Sequence, residues 1–267
     1  IHTNLDNVDT GVNKMIADRL SLQNVKILEP KKDGLKMLIT YVPNSHVESV
    51  RTALFAQGAG SIGEYSECHF SVDGIGTFKG SENSNPAVGQ KGVRESVSEH
   101  RIELVFPSYI ESKVVSTLKT THPYEEVAYS VLSLNNKNEN VGSGMIGEIS
   151  EPLNEMEFLK NLKIKLKTDC IRYTSLLNSK IKTVALCGGA GRFLLNAAKH
   201  SGADIFITSD FKYHEFFDAE NRILIADIGH YESEQYTMDL IADFLRKNFP
   251  KFAIHLSKVN TNPINYL

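Results

Sequence analysis

The stretch LKMLITYVPNSHVESVRTAL, residues 35–54, decides the predicted fold of the middle of the chain. It opens with an apolar run of strand length, Leu35 to Val42, which is followed by Pro43. Ser45 with Glu48 three residues later is typical of a capping box at the start of a helix. The apolar face of that helix would consist of Val47, Val50 and Leu54. We therefore predict a strand that leads directly into an amphipathic helix.

The same phrase recurs as RIELVFPSYIESKVVSTL, residues 101–118. Arg101 to Phe106 is the second predicted strand, Ser108 and Glu111 form a second capping box, and the apolar stripe is Val114, Val115 and Leu118. A glycine-rich, hairpin-like excursion separates the two copies, and Val127 to Leu134 supplies a closing strand. The order βαββαβ predicts a ferredoxin-like domain over residues 35–135.

Outside this module the pattern changes. Polar and glycine-rich segments at residues 30–34 and 135–144 are typical of linkers. Beyond them helical and strand patterns alternate, which indicates an α/β layer. The predicted elements are a helix ending near Lys165, strands at 183–186, 204–208, 222–226 and 253–256, and helices at 191–200, near Tyr213 and at 233–249. The first residues, with a helix from Val12 to Leu20, belong with them. We predict a three-layer-like α/β domain of residues 1–30 and 141–267, interrupted by the ferredoxin-like insertion.

Composition and charge restrict the classes of function. The chain of 267 residues has 29 basic and 32 acidic side chains, a net charge of -3, which argues against a nucleic-acid-binding surface. No apolar run approaches the roughly 18 residues that a membrane-spanning helix needs. The three cysteines are odd in number and form no C-x-x-C pair, so they indicate neither a disulfide framework nor a zinc knuckle. These features favour a reducing, cytoplasmic location.

The segment GHYESE, residues 229–234, is the strongest candidate for chemistry. We predict that His230 ends a strand and that Glu234 lies in the first turn of the next helix, so that both reach the carboxyl edge of the sheet. An imidazole and a carboxylate there suit zinc, manganese or iron. A histidine near a helix start more often caps the helix or makes a hydrogen bond. These residues alone leave both interpretations open.

A second candidate is HTNLD, residues 2–6, where His2 and Asp6 lie four residues apart. The pair could bind a metal ion, or it could form an N-cap and loop that lead into the helix at Val12. On local grounds the structural interpretation is the commoner one.

Several motifs taken together resemble one family. HTNLD with Gly11–Asn13, CGGAG at 187–191, TSDFKYH at 208–214 and GHYESE resemble the Nif-like dinuclear-metal proteins, commonly labelled GTP cyclohydrolase I type 2 homologues. The inserted module, with GSIG at 60–63, GTFK at 76–79 and HPYEE at 122–126, is similar to the PII/CutA-like domain of the long bacterial members. The resemblance spans essentially the whole chain.

That resemblance implies a cofactor of two divalent metal ions, zinc foremost, with iron or manganese as alternatives. The positions that match the family's ligands are Asp6, His230 and Glu234, with His2 as a further ligand or supporting group. Two close cations lower the pKa of a shared water, as metal hydrolases require. The implied activity is metal-dependent hydrolysis of a small nucleotide-like or phosphorylated substrate, with His214 as a proton shuttle or substrate contact.

The resemblance also implies a ring-shaped homohexamer. Family members carry a His-His-Pro phrase upstream of the Asp6 motif, and no His-His pair occurs in this sequence. We therefore expect the amino-terminal part of the metal site to be missing from this chain. A rival hypothesis is a non-catalytic, metal-binding regulatory or chaperone-like protein whose insert senses a small molecule.

Overall fold

The computed structural model of the chain describes residues 2–32 and 34–267. The chain divides into a first unit, residues 1–31 with 139–267, and a second unit, residues 32–138. No helix in these described ranges is both long and apolar enough to cross a membrane.

The strands and helices are numbered here in chain order. The strands are β1 (Gln23–Lys31), β2 (Leu35–Pro43), β3 (Phe70–Lys79), β4 (Arg94–Pro107), β5 (Tyr129–Ser133), β6 (Asn138–Asn154), β7 (Arg172–Tyr173), β8 (Lys180–Ala190), β9 (Ile205–Ser209) and β10 (Leu224–Asp227). The α-helices are α1 (His2–Asp6), α2 (Val12–Leu20), α3 (Val47–Ala56), α4 (Glu111–Thr121), α5 (Glu155–Leu166), α6 (Leu195–His200), α7 (His230–Glu234) and α8 (Thr237–Asn248).

The first unit is built on a six-stranded mixed sheet in the order β1-β6-β8-β9-β10-β7. Strands β8, β9 and β10 run parallel, whereas β6 and β7 pair with them antiparallel. Along β8, Val184 and Leu186 pack into a core shared with α2 and α5, while Ala185 and Cys187 pack into a second core with α6. Because side chains alternate along a strand, helices cover both faces of this sheet.

The second unit is a four-stranded antiparallel sheet in the order β3-β4-β2-β5. Helices α3 and α4 pack on one face of it, where Leu38, Ile102 and Phe106 meet Val50 and Leu118. All five side chains are fully buried. The predicted apolar faces of both helices are therefore confirmed at their central positions.

Both predicted capping boxes are wrong. A short 3-10 turn, at residues 44–46 and again at 108–110, separates each strand from its helix, and neither helix has a side-chain cap. Ser45 lies inside the first turn, where its hydroxyl contacts the ring of His46 at 2.9 Å. Glu111 pairs with Lys36 of β2 instead of capping its own helix. Each serine therefore comes too early in the chain to act as an N-cap.

The first predicted linker is strand at its start, and the second is strand over most of its length. Strand β1 continues to Lys31 and β6 begins at Asn138, and the two are neighbours in the sheet. Pro30 is tolerated because β1 is an edge strand, which has a hydrogen-bonded neighbour on one side only. The N–H that proline lacks can therefore be one that would face away from the sheet. Asp33, within the first predicted linker, lies outside the described residues.

The predicted strand at 253–256 does not form, and residues 253–267 contain neither helix nor strand. The edge beside β10 is taken by the short antiparallel strand β7. The predicted helix at 233–249 is divided into α7 and α8, and Phe244 is 63% exposed although Tyr236 is buried. Ala242 of α8 is also buried and Leu240 packs against the first core, so α8 contacts the core through part of its surface.

His122, which follows α4, is predicted to make the second unit sensitive to acid. Its Nε2–H donates to the carbonyl of Tyr41 at 2.9 Å, and its Nδ1 accepts the N–H of Tyr124 at 3.1 Å. Burial lowers the pKa of His122 below its ordinary value, with a smaller contribution from His46, although the Tyr41 bond and the charge of Glu99 oppose the shift. The folded unit therefore holds the neutral imidazole.

A lowered pKa in the folded state means that stability is complete above the ordinary value of 6.5 and is lost as the pH falls towards the folded pKa. Amide hydrogen exchange of β2 and β4 should show weaker protection at about pH 5 than at about pH 7.5. His122→Gln should remove most of this pH dependence, whereas His255→Gln, at an exposed site in the first unit, should keep it. Equal protection of the wild-type strands at both pH values would contradict this role of His122.

Candidate functional site

His230 and Glu234 lie on a single helical turn, which corrects the predicted strand-end position of His230. Strand β10 ends at Asp227, and Gly229, with φ of 92°, turns the chain into α7, whose first and last residues are His230 and Glu234. The Nε2 atom of His230 lies 3.5 Å from a carboxylate oxygen of Glu234. Because glycine has no Cβ, Gly229 can adopt this positive φ, which lets the chain turn directly from β10 into α7.

Asp210 orients the imidazole from its other side. It follows β9 in the left-handed region, with φ of 60°, and its Oδ2 lies 2.5 Å from Nδ1 of His230. This hydrogen bond is the main reason why the pKa of His230 is raised; the charges of Glu234 and Asp6 add to the shift, and burial opposes it. A histidine held by a carboxylate at Nδ1 presents Nε2, as metal-binding histidines commonly do.

Gly189 leaves a space beside this pair. It lies near the end of β8 with φ of 64°, and a Cβ placed there would come 2.5 Å from Oε1 of Glu234 and 3.4 Å from Nε2 of His230. Its N–H donates to Oγ of Ser233, which in turn donates to the carbonyl of His230, both at 2.8 Å. Residues 188–190 are the end of β8, with a register shift after Leu186.

Asp6 approaches the same region from α1. Its carbonyl accepts a hydrogen bond from the side-chain amide of Asn13 at 2.8 Å, and the Oδ1 of Asn13 accepts the N–H of Gly188 at 2.8 Å. Burial, followed by the charge of Asp6, raises the pKa of Cys187 to about 12. Since the charge of Asp6 also acts on His230, its carboxylate contributes to the electrostatics of this site.

Asp227 fixes the two loops that carry Asp210 and His230. This carboxylate is 3% exposed; its Oδ2 accepts the N–H of Phe211 at 3.0 Å, and its Oδ1 accepts the N–H of Gly229 at 3.1 Å. Arg172 of β7 forms an ion pair with it. One buried side chain therefore holds the residue after Asp210 and the residue before His230.

The other predicted site residues are less closely connected. His214 is exposed at the start of a 3-10 helix, Tyr213–Ala219, and within the described part of the chain no hydrogen bond or ion pair joins it to Asp6, His230 or Glu234. The backbone of His2 lies in α1, but its side chain is outside the described residues. Both assignments stay predictions.

Four contributors were not predicted from the sequence: Asn13, Asp210, Asp227 and Ser233. Asn13 and Asp210 lie within motifs that the family resemblance quoted, and Ser233 lies within GHYESE. Spacing alone gave no reason to prefer them over their neighbours, because their roles depend on strands and helices that meet only in the folded chain.

The donor atoms gathered here fit a divalent transition metal in type. One imidazole nitrogen is presented towards a carboxylate, next to a space that any Cβ at position 189 would fill. Among the side chains of residues 4–32 and 34–267, no three from histidine, cysteine, aspartate or glutamate come together as a metal-binding group. The described side chains thus supply the donors of a partial ligand set.

Comparison with known proteins shows the family. The model for Duf34/NIF3 (NGG1p interacting factor 3) matches residues 1–263. The chain belongs to this family. Relatives of this NIF3-family chain include the GTP cyclohydrolase 1 type 2 homolog of Bacillus subtilis, 38% identical, and that of Listeria monocytogenes, 36% identical. These matches cover 100% and 99% of the chain and 73% of each relative.

Solved structures also match this chain. A Bacillus cereus protein related to NIF3 superimposes with a TM-score of 0.84 at 37% identity, covering 99% of this chain and 72% of the other. A Staphylococcus aureus protein superimposes with a TM-score of 0.71 at 28% identity, covering 99% and 71%. The resemblance predicted from the motifs is therefore confirmed, as is a mixed α/β fold with two sheets.

Proposed function

We propose that this NIF3-family protein is a metal-dependent hydrolase of a small nucleotide-like or phosphorylated substrate. The observation that carries the proposal is the pair of His230 and Glu234 at the space beside Gly189, with Asp210 holding the imidazole from its other side. The name GTP cyclohydrolase 1 type 2 homolog, given to its relatives, supports a nucleotide-like substrate. None of the described contacts selects guanine.

Asp6, His230 and Glu234 are the residues that would contribute to holding two divalent metal ions, with His2 as a further ligand. Zinc suits this mixture of imidazole and carboxylate, as do iron and manganese. Ions bound there would supply Lewis acidity for the activation of water. The chain's own part is to orient: Asp210 fixes the ring of His230, and Asp227 fixes the loops that carry both residues.

We also propose the domain organisation, the oligomeric state and the cellular location of the protein. The second unit has the element order and sheet order of a ferredoxin-like domain, and we propose that it is the PII/CutA-like insertion, residues 35–135, in an α/β domain of residues 1–30 and 141–267. A ring-shaped homohexamer and a cytoplasmic location are proposed from the family resemblance, and the three free thiols fit a reducing compartment. His214 is proposed as a proton shuttle or substrate contact.

Metal content is the direct test. Elemental analysis of the purified protein after incubation with zinc should find bound zinc, and about two ions per chain is the content of a complete dinuclear site. His230→Ala and Glu234→Ala should each lower this content, because each removes a ligand. Asp210→Asn keeps both ligands but weakens the orientation of the ring, so it should reduce the affinity for zinc about 10- to 100-fold.

The matched control is His255→Ala, which removes an exposed histidine in the first unit and should leave zinc content unchanged. Unaltered zinc binding in both His230→Ala and Glu234→Ala, with wild-type folding by circular dichroism, would overturn the metal assignment. A screen of phosphoesters and nucleotides then tests hydrolysis. Zinc-dependent turnover that is lost in Glu234→Ala is the expected result.

A second candidate function is a non-catalytic, metal-binding regulatory or chaperone-like protein with a ligand-sensing insert. It is favoured by a cavity in the second unit that lies among residues outside the candidate metal site. Under this alternative, Glu234→Ala would change metal content or partner binding, and no substrate in the screen would turn over.

A further inference from the structure

The second unit contains a cavity of about 790 Å³ beside β3 and β4. Along β4, Ile102 and Leu104 point into the core under α3 and α4, so that Glu99 and Arg101 project from the opposite face of the sheet. Both line the cavity, together with residues of β3 and of the segment after α4. Its volume is in the range of small-molecule sites.

A buried carboxylate lines the cavity. Glu99 is only 8% exposed, and its Oε1 accepts a hydrogen bond from the hydroxyl of Tyr124 at 2.8 Å. In the described ranges no hydrogen bond reaches its Oε2, which lies where a Cβ at position 76 would come within 2.1 Å. Gly76 therefore makes room for a carboxylate whose second oxygen is left open to a donor from a ligand in the cavity.

Aromatic rings stand next to this carboxylate. The rings of Phe78 and Tyr124 lie with centroids 6.0 Å apart, and Tyr41 also lines the cavity. The ring of His122 meets that of Tyr124 edge-on at 5.0 Å, and its Nδ1 accepts the N–H of Tyr124. These two contacts with His122 hold Tyr124 in position, so that its ring forms a fixed part of the cavity wall. Aromatic faces beside a carboxylate attract cations that carry apolar groups.

The charges around the cavity are predominantly negative. Its lining has four carboxylates, Asp73, Glu99, Glu125 and Glu126, against the two cations Lys79 and Arg101. Arg101 is paired with Glu103 at 2.7 Å, outside the lining, so its charge is partly neutralised. The described residues form no metal-binding group of three ligands here or elsewhere. Negative charge beside the aromatic rings of Phe78 and Tyr124 favours an organic cation.

We propose that this cavity binds a small organic ammonium compound, with its cationic nitrogen at Oε2 of Glu99 and its apolar body against Phe78 and Tyr124. The proposal is independent of the metal site, because every residue that lines the cavity belongs to the second unit. It assigns a ligand class to the insert whether or not the first unit catalyses hydrolysis.

Isothermal titration calorimetry of the full chain tests this with three probes of similar shape. Phenethylammonium should bind saturably, whereas phenethyl alcohol, its neutral counterpart, and phenylacetate, its anionic counterpart, should bind at least about tenfold more weakly. Glu99→Gln keeps the shape of the side chain and removes its charge, so it should weaken phenethylammonium binding by about tenfold or more. Glu48→Gln, the same change at an exposed position on α3, is the matched control and should bind like the wild type.

Phe78→Leu provides a second variant if Glu99→Gln does not fold by circular dichroism. It removes an aromatic face while keeping an apolar wall, and should weaken phenethylammonium more than phenethyl alcohol. Equal binding of the ammonium and the alcohol, preference for phenylacetate, or no saturable binding by any probe would each overturn the proposal. So would phenethylammonium binding that is unchanged in a folded Glu99→Gln variant.

Discussion

Replacing Asp227 by Ala is expected to lower the free energy of unfolding by about 3–5 kcal/mol, the usual loss when one partner of a buried ion pair is removed. The carboxylate is 3% exposed and accepts the N–H groups of Phe211 and Gly229. Its loss leaves those two donors without their acceptor and Arg172 without its partner. The lower end of this range is the better expectation, because the side chain of Arg172 is 54% exposed and water can solvate it.

Urea unfolding of the full chain measures this effect, with the midpoint and slope compared between variants. The matched control is Asp243→Ala, which removes an exposed ion pair with Arg246 and should change stability by less than about 0.5 kcal/mol. The same Asp227 variant should lose zinc affinity as well, because the loops that carry Asp210 and His230 are released. Stability equal to that of the Asp243 control would show that Asp227 does not hold these loops.

Replacing Gly189 by Ala is expected to reduce zinc affinity about 10- to 100-fold, the range seen when the groups that support metal ligands are disturbed. The added Cβ would lie 2.5 Å from Oε1 of Glu234, closer than such atoms approach one another. Either the carboxylate or β8 must therefore move. The φ of 64° adds a conformational cost of about 1–2 kcal/mol that any side chain with a Cβ bears.

Gly202→Ala separates these two effects. Gly202 also has a positive φ, 74°, but a Cβ there would meet no atom within 4 Å. It should therefore lose about as much stability from strain as Gly189→Ala while keeping wild-type zinc binding. If the two variants lost zinc affinity to the same extent, the crowding at Glu234 would not be the cause.

Hydrophobic periodicity was sufficient to predict α2 in the first unit and both helices of the second unit. The pattern at Val12 to Leu20 predicted α2 with its observed bounds, and Val50 and Leu54 were correctly placed in the core of the second unit. Periodicity failed where main-chain pairing decided the outcome. The end of β1 and the start of β6 contain proline, glycine and polar residues, which is why these segments were predicted to be linkers. They are strands because β1 pairs with β6 and β6 pairs with β8.

At the candidate site, the sequence predicted which motifs matter but not which atoms meet. His230 and Glu234 were correctly expected to lie close together, although the reason is one turn of helix and not a strand end. Asp210 could not be preferred over His214 from spacing, because its contact with His230 depends on a left-handed residue after β9. Sequence spacing could not predict the cavity at Glu99 either, because Gly76 on β3 makes room for the side chain of Glu99 on β4 only once the two strands pair.

The side chain of Asn13 connects α1 to β8 through two hydrogen bonds made by a neutral amide, and it is 1% exposed. An amide does not titrate and is little affected by dissolved ions. The attachment of the amino-terminal helix should consequently tolerate wide changes in acidity and ionic strength. Any loss of metal at low pH would then report protonation of the ligands themselves and not displacement of the segment that presents Asp6.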